Sequence, residues 1–310
     1  MTSRREFLQR VSAASMAGLV APVFASGKPQ QRKVHLFSKH LQWLDYSPMA
    51  ETAAAIGFDG IDLTVRPGGH VLPEHVERDL PRAVAAIRAA GLKADRITTA
   101  ITDPDDPVSQ QVLETASRLD IGIYRLGWLK YDRKKPLPPQ LDAYRGQMEK
   151  LAGLNERLGI HGAYQNHSGT GVGSPVWDAW LLVRDLDPRW LGIRYDVRHA
   201  RAEGIKSWEL GLQLLAPTIQ SLDIKDFIWT EHEGEWDVES VPLGRGAVDF
   251  PYFFALLEQW GIEADMTLHL EYPLGGADKG KSELTVPKED VIQAMEQDLA
   301  FLRDVTQYKG

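Results

Sequence analysis

From Lys33 onward the chain alternates short β-branched or apolar runs with longer amphipathic ones, and this rhythm constrains its fold more than any other feature. Residues 34–37, 60–65, 93–99, 123–126, 162–165, 191–195, 219–224 and 266–271 read as strands. Residues 48–56, 80–90, 108–119, 141–158, 175–183, 207–215 and 250–260 read as helices. Gly57, Gly91 and Gly159 stand where a left-handed residue closes a helix. Such alternation gives a parallel sheet. Eight strands without a glycine-rich dinucleotide fingerprint favour a closed (β/α)8 TIM barrel over a doubly wound sheet. No linker interrupts residues 26–310, which read as one domain, and the proline-rich stretch 130–140 reads as a surface loop.

The first 25 residues read as an address. Ser3-Arg4-Arg5 with Phe7-Leu8 precedes a small-residue apolar run at 11–24, then Val23-Phe24-Ala25 before Ser26. This resembles a twin-arginine signal peptide with Ala25 the last residue removed, which implies the twin-arginine export machinery as a partner and a periplasmic or extracellular location. The remaining sequence has no 18-residue apolar stretch, so no membrane span is expected there. The chain lacks cysteine, which excludes disulfides, thiolate metal ligands and cysteine nucleophiles. The net charge of -8 disfavours a nucleic-acid partner. A homo-oligomer stays open.

In a barrel of this kind the chemistry sits at the C-terminal strand ends. There the sequence places Gln165 and His167, then Asp196, then Asp223 and Lys225, then His269 and Glu271, with period-two spacing aiming each pair one way. Burying Asp196, Asp223 and Glu271 together is unfavourable unless positive charge lies among them. A divalent cation would supply it. Separate pairing of each carboxylate with Arg194, Arg198 or Lys225 is the competing arrangement.

The segments Asp-Val-Arg-His at 196–199, Ile-Lys-Asp at 224–226, Leu-Gly-Arg-Gly-Ala-Val-Asp at 243–249 and Leu-Glu at 270–271, taken in order, resemble the sugar phosphate isomerase/epimerase group, the xylose isomerase-like barrels. The resemblance spans the mature chain and implies a divalent metal on Gln165, Asp196, Asp223 and Glu271. It also implies a substrate contact at His199 and a helix cap at Asp249. Gln165 and Asp223 depart from the family's glutamate and histidine. An amide and three carboxylates form an all-oxygen set suited to manganese, or to magnesium or calcium, before zinc. Gln165 cannot serve as a base, so Glu271 is left as the single carboxylate for proton transfer.

Arg66, His70, Trp128, His167 and Arg198 are candidate contacts for a small carbohydrate. Lys225 is a candidate to stabilise an enolate oxygen, or a salt-bridge partner for Asp223 or Asp226. The segment 229–236 reads as a solvated lid edge without chemistry. Together these features imply a metal-dependent isomerase, epimerase or lyase acting by enolisation next to a carbonyl, on a keto-sugar or 3-keto-glycoside. The second reading is a non-catalytic carbohydrate-binding barrel with a degenerate site. A barrel endonuclease is disfavoured, because it needs a histidine-rich three-zinc centre and the chain is acidic.

Overall fold

The computed structural model describes residues 32–307; the segment 1–25, expected to be a signal peptide, lies outside the described residues. Eight parallel strands close a barrel: β1 (Val34–Phe37), β2 (Gly60–Thr64), β3 (Lys93–Thr98), β4 (Ile123–Arg125), β5 (His161–Gln165), β6 (Leu191–Asp196), β7 (Ile219–Ile224) and β10 (Asp265–Leu268). Between them run α1 (Tyr46–Ile56), α2 (Val76–Ala89), α3 (Pro107–Arg118), α4 (Leu137–Leu158), α5 (Val176–Val183), α6 (Val197–Gly204), α7 (Trp208–Leu215) and α8 (Phe250–Gln259). A final helix, α9 (Lys288–Gln307), follows the last strand. The TIM-barrel expectation is therefore met. Among the described residues no helix is long and apolar enough to cross a membrane.

Alternation along each strand sorts the buried residues. Leu36, Ile61, Leu63, Ile97, Tyr164, Ile193, Leu222 and Met266 are buried in one apolar core that includes the helices' inner faces. The residues between them are often polar. Asp62 on β2, Thr98 on β3, Arg194 on β6 and Thr267 on β10 bond to one another, which is possible only across the barrel interior. Gly57 and Gly159 close α1 and α4 in the left-handed region, with φ of 102° and 65°.

Several elements differ from the sequence reading. Helix α2 begins at Val76, ahead of the expected 80–90, and carries Pro81 inside; α4 begins at Leu137, within the expected 130–140 loop; α6 and α9 fall on stretches where no helix was expected. The last barrel strand stops at Leu268, so His269 and Glu271 stand on the loop beyond it. The supposed lid edge is an antiparallel hairpin, β8 (Asp226–His232) with β9 (Glu235–Val241). Its turn places Glu233 and Gly234 at positive φ (55° and 85°), the twist that a two-residue hairpin requires.

The glycine loop at 243–249 is a backbone cradle. Asp226 accepts hydrogen bonds from the N–H groups of Phe227, Gly244, Gly246 and Val248 at 2.8–3.1 Å, and Asp249 caps α8 through the N–H of Tyr252. Nearby, Asp298 of α9 is buried and accepts from Tyr272 Oη (2.9 Å) and Leu243 N (3.1 Å). Burial pushes its pKa up from 3.8 to about 6. A carboxyl raised in the fold favours folding fully below pH 3.8, and that contribution is lost as the pH climbs through about 6. Asp298→Asn should therefore remove about 3 kcal/mol of pH-dependent destabilisation. Melting curves of the two proteins from pH 4 to 7 test this; parallel wild-type and variant profiles rule it out.

Candidate active site

The strand–helix junctions fix the side chains at the C-terminal mouth. Asp196 ends β6 and is also the N-cap of α6, its Oδ1 accepting from His199 N at 3.1 Å. Asn166 clamps the same residue from β5, accepting from its N–H (2.8 Å) and donating to its carbonyl (3.0 Å). Asp196 and Asp223 are register partners on β6 and β7, which sets the two carboxylates side by side. Glu271 is positioned by His40, whose Nε2 accepts from Leu270 N at 3.0 Å while its Nδ1 donates to the carbonyl of Ala277.

Positive charge from the chain itself fills the space among these groups. Lys225 Nζ donates to Asp196 Oδ2 (2.9 Å), Glu271 Oε2 (2.9 Å) and His199 Nε2 (3.0 Å), which uses all three ammonium protons. Arg194 meets Asp223 through Nε (2.7 and 2.8 Å) and Nη2 (2.5 Å), and Asp62 through Nη1 (2.6 Å). Lys39 adds a second ammonium to Glu271 at 2.9 Å. Gln165 presents nitrogen to the carboxylates: its Nε2 donates to Asp196 Oδ2 (2.9 Å) and Asp223 Oδ2 (2.7 Å), while its Oε1 accepts from Arg125 (3.3 Å).

The ionisation states follow. Burial works against the charge of Glu271, but Lys225, a hydrogen bond from His269 and Lys39 outweigh it and hold the carboxyl well below its ordinary range. Burial likewise opposes ionisation of Asp223, and Arg194 and His269 overcome it. Lys225 is pulled down by burial and raised further by Asp196, Glu271 and Asp223, so it stays charged. Burial first, then Lys225, keep His199 neutral; its Nδ1–H donates to Ser168 Oγ at 2.7 Å, leaving Nε2 to accept from Lys225.

The sequence expectation is half met. The structure does bring Gln165, Asp196, Asp223 and Glu271 to one rim, but in this arrangement they do not fit a divalent cation. Asp223 is held by a guanidinium, Asp196 and Glu271 share an ammonium, Asp196 Oδ1 caps a helix, and Gln165 offers a donor where a ligand must offer an acceptor. Among the described residues no group of three or more His, Asp or Glu could hold a metal ion. Of the competing arrangement, the neutralisation by basic side chains is observed but the separate pairing is not: Asp223 takes Arg194, Asp196 and Glu271 share Lys225, and Arg198 pairs with none of them. A carboxylate triad satisfied by fixed cations has no charge left to recruit a mobile one.

Of the rim candidates, Trp128, His167 and His199 form a contiguous row: ring centroids lie 4.8 Å apart between the first two and 3.9 Å between the last two. Arg198 donates to Ser168 Oγ at 3.0 Å. Arg66 lies over the Phe37 ring. His70 is spent on the scaffold, its ring nitrogens facing the Leu41 carbonyl and Thr64 Oγ1 at 3.3 Å; burial lowers its pKa to about 4. The substrate contact expected there is corrected accordingly. Asp62, Arg125 and Lys39 were not picked out by sequence reasoning. A charged residue inside an otherwise apolar strand, as in Gly60-Ile-Asp-Leu-Thr64, was the available signal.

The family described as xylose isomerase-like TIM barrel matches residues 50–305. No curated protein matches the sequence. Among solved structures, an L-ribulose 3-epimerase superposes with a TM-score of 0.66 at 15% identity, covering 89% of this chain and 95% of that one. A 3-keto-D-glucoside 4-epimerase from E. coli gives 0.61 at 16% identity, with 88% and 100% covered. A xylose isomerase-like barrel from Mycobacterium smegmatis, in complex with magnesium, gives 0.60 at 14%, with 88% and 99% covered. At these identities the likeness is one of fold.

Proposed function

Because the chain belongs to the xylose isomerase-like TIM-barrel family, we propose that it is a sugar isomerase or epimerase that moves a proton at the carbon next to a carbonyl. Epimerases of ketoses and of a 3-keto-glucoside share its fold, and a keto-sugar is the substrate class this reading takes. The observation that carries it is the Lys225–Glu271 pair, a charged base and a charged proton donor 2.9 Å apart at the mouth of the barrel. The Glu271 side chain keeps 27% of its exposure, whereas those of Asp196 and Asp223 keep none, so Glu271 is the carboxylate a substrate can reach.

The chemistry follows from the hydrogen bonds. A carbonyl oxygen arriving beside Lys225 competes for an ammonium proton now given to Glu271 or His199. As Glu271 takes the neighbouring C–H proton, charge grows on that oxygen and Lys225 moves its hydrogen bond toward it. Lys225 then holds Glu271 less firmly, and the carboxylate becomes more basic as the enolate forms. Returning the proton to the former carbonyl carbon, while the hydroxyl proton of the neighbouring carbon passes to the enolate oxygen, gives isomerisation. Gln165, a neutral amide, cannot return it from the opposite face, so one-base chemistry is favoured over two-base epimerisation.

The depressed pKa of Glu271 has a kinetic consequence. Its base form persists well below the ordinary glutamate range, so kcat/KM should hold down to mildly acidic pH. Removing one of the cations that depress it, by Lys39→Met, raises its pKa and should carry the acidic limb to higher pH. A pH–rate profile compares the two; an acidic limb that stays in place separates Glu271 from the proton-transfer step.

A further inference from the structure

The four carboxylates of the mouth already have their cations: Asp62 and Asp223 share Arg194, while Asp196 and Glu271 share Lys225, with Lys39 also on Glu271. Two further guanidinium groups have no carboxylate partner among the described residues. Arg125, at the end of β4, is 3% exposed; it donates to the Thr99 carbonyl (3.0 Å) and Gln165 Oε1 (3.3 Å), and its Nε has no partner. Its guanidinium lies 4.3 Å from the ring centroid of half-exposed Trp128, so one face is held while Nε and part of each terminal amino group remain without a partner. Arg66, after β2, rests its guanidinium 5.4 Å over Phe37; its backbone bonds to Val71 and Gly69, while its side chain has no hydrogen-bond partner among the described residues.

Burial first, then Arg194 and Arg66, lower the pKa of Arg125 to about 9. Burial lowers that of Arg66 as well. Arg194 and Arg66 thus oppose the charge of Arg125, and Asp223 and Asp62 offset only part of that cost. A buried guanidinium without a counter-charge is costly, and its planar fork is shaped for two parallel bonds to an oxyanion. Neutral sugar hydroxyls do not relieve that cost.

We propose that a substrate oxyanion, a carboxylate or a phosphate ester, is received by Arg66 and Arg125 on the β2–β4 side of the mouth. This narrows the proposed substrate class from a keto-sugar to an acidic one, and it rests on the reading of the mouth as the substrate site. The oxyanion anchors one end of the molecule, while its carbonyl meets Lys225 and Glu271.

Calorimetric titration of the purified protein at fixed ionic strength tests it, with inorganic phosphate, D-glucuronate and D-glucose as probes. Saturable binding of phosphate or glucuronate, with glucose weaker, is expected; the tighter of the two anions tells which oxyanion the site is built for. Arg66→Gln and Arg125→Gln should each weaken that anion about 10–100-fold, the loss of a charge-assisted bond. The Arg66 side chain has no protein hydrogen bond to lose among the described residues, and Arg66→Gln keeps its backbone bonds, so this variant reads the site even where Arg125→Gln unfolds. Glu271→Gln should keep the anion affinity, which separates this site from the proton-transfer reading. Glucose binding as tightly as glucuronate, no saturable anion binding, or an Arg66→Gln protein of unchanged anion affinity overturns the proposal.

Discussion

Glu271→Gln is expected to lower turnover of a keto-sugar by about 10³-fold, the loss of a positioned proton-transfer group. The amide keeps an oxygen to accept from Lys39 or Lys225, so the fold and the shape of the mouth survive. Affinity should change far less than kcat, because the variant removes an interaction made in the transition state. The measurement is steady-state kinetics beside binding of the same sugar. A wild-type protein that binds keto-sugars and turns none of them over sinks the enzymatic reading and leaves the non-catalytic barrel, for which the full pairing of the mouth's carboxylates is the supporting observation.

Exhaustive chelation is expected to leave both stability and turnover unchanged, and titrated Mn2+ should stay free in solution as read by its paramagnetic resonance. The physical ground is Lys225, whose ammonium occupies the space between Asp196 and Glu271 and donates all its protons. Substituting Lys225 by Ala removes that cation and leaves two buried or half-buried carboxylates facing each other. Turnover should fall about 10²–10³-fold with the loss of a charge that stabilises the developing enolate. The vacated space, now bounded by unpaired carboxylates, should gain measurable Mn2+ affinity. Stoichiometric Mn2+ uptake by the wild type, or activity lost on chelation and restored by Mn2+, would falsify the idea that Lys225 stands in place of a metal.

The arrangement also says why a charged barrel interior is tolerated. Asp62, Arg194 and Asp223 form an unbroken chain across the barrel, and Thr98 and Thr267 satisfy the remaining oxygens of Asp62. Breaking such a network at one member leaves a buried charge unpaired, at a cost of about 3–5 kcal/mol. The network is therefore both scaffold and electrostatic floor for the groups above it.

The barrel was legible in the sequence because hydrophobic periodicity is local: the order of strands and helices, the glycine stops and the carboxylates at consecutive strand ends are all properties of short windows. That Gln165, Asp196, Asp223 and Glu271 meet at one rim followed from the fold rule alone. What neutralises them did not follow. Lys225 is two residues from Asp223, yet it serves Asp196 and Glu271; Arg194 is two residues from Asp196, yet it serves Asp62 and Asp223. A lysine or arginine side chain is long enough to turn to a neighbouring strand, and which one it takes is settled by the competition among all charges in a closed barrel. The sequence determined the fold and the set of reacting groups. Only the tertiary structure decided that the positive charge among them is covalently attached, because Coulomb energy in a low-dielectric interior depends on distances that no spacing along the chain encodes.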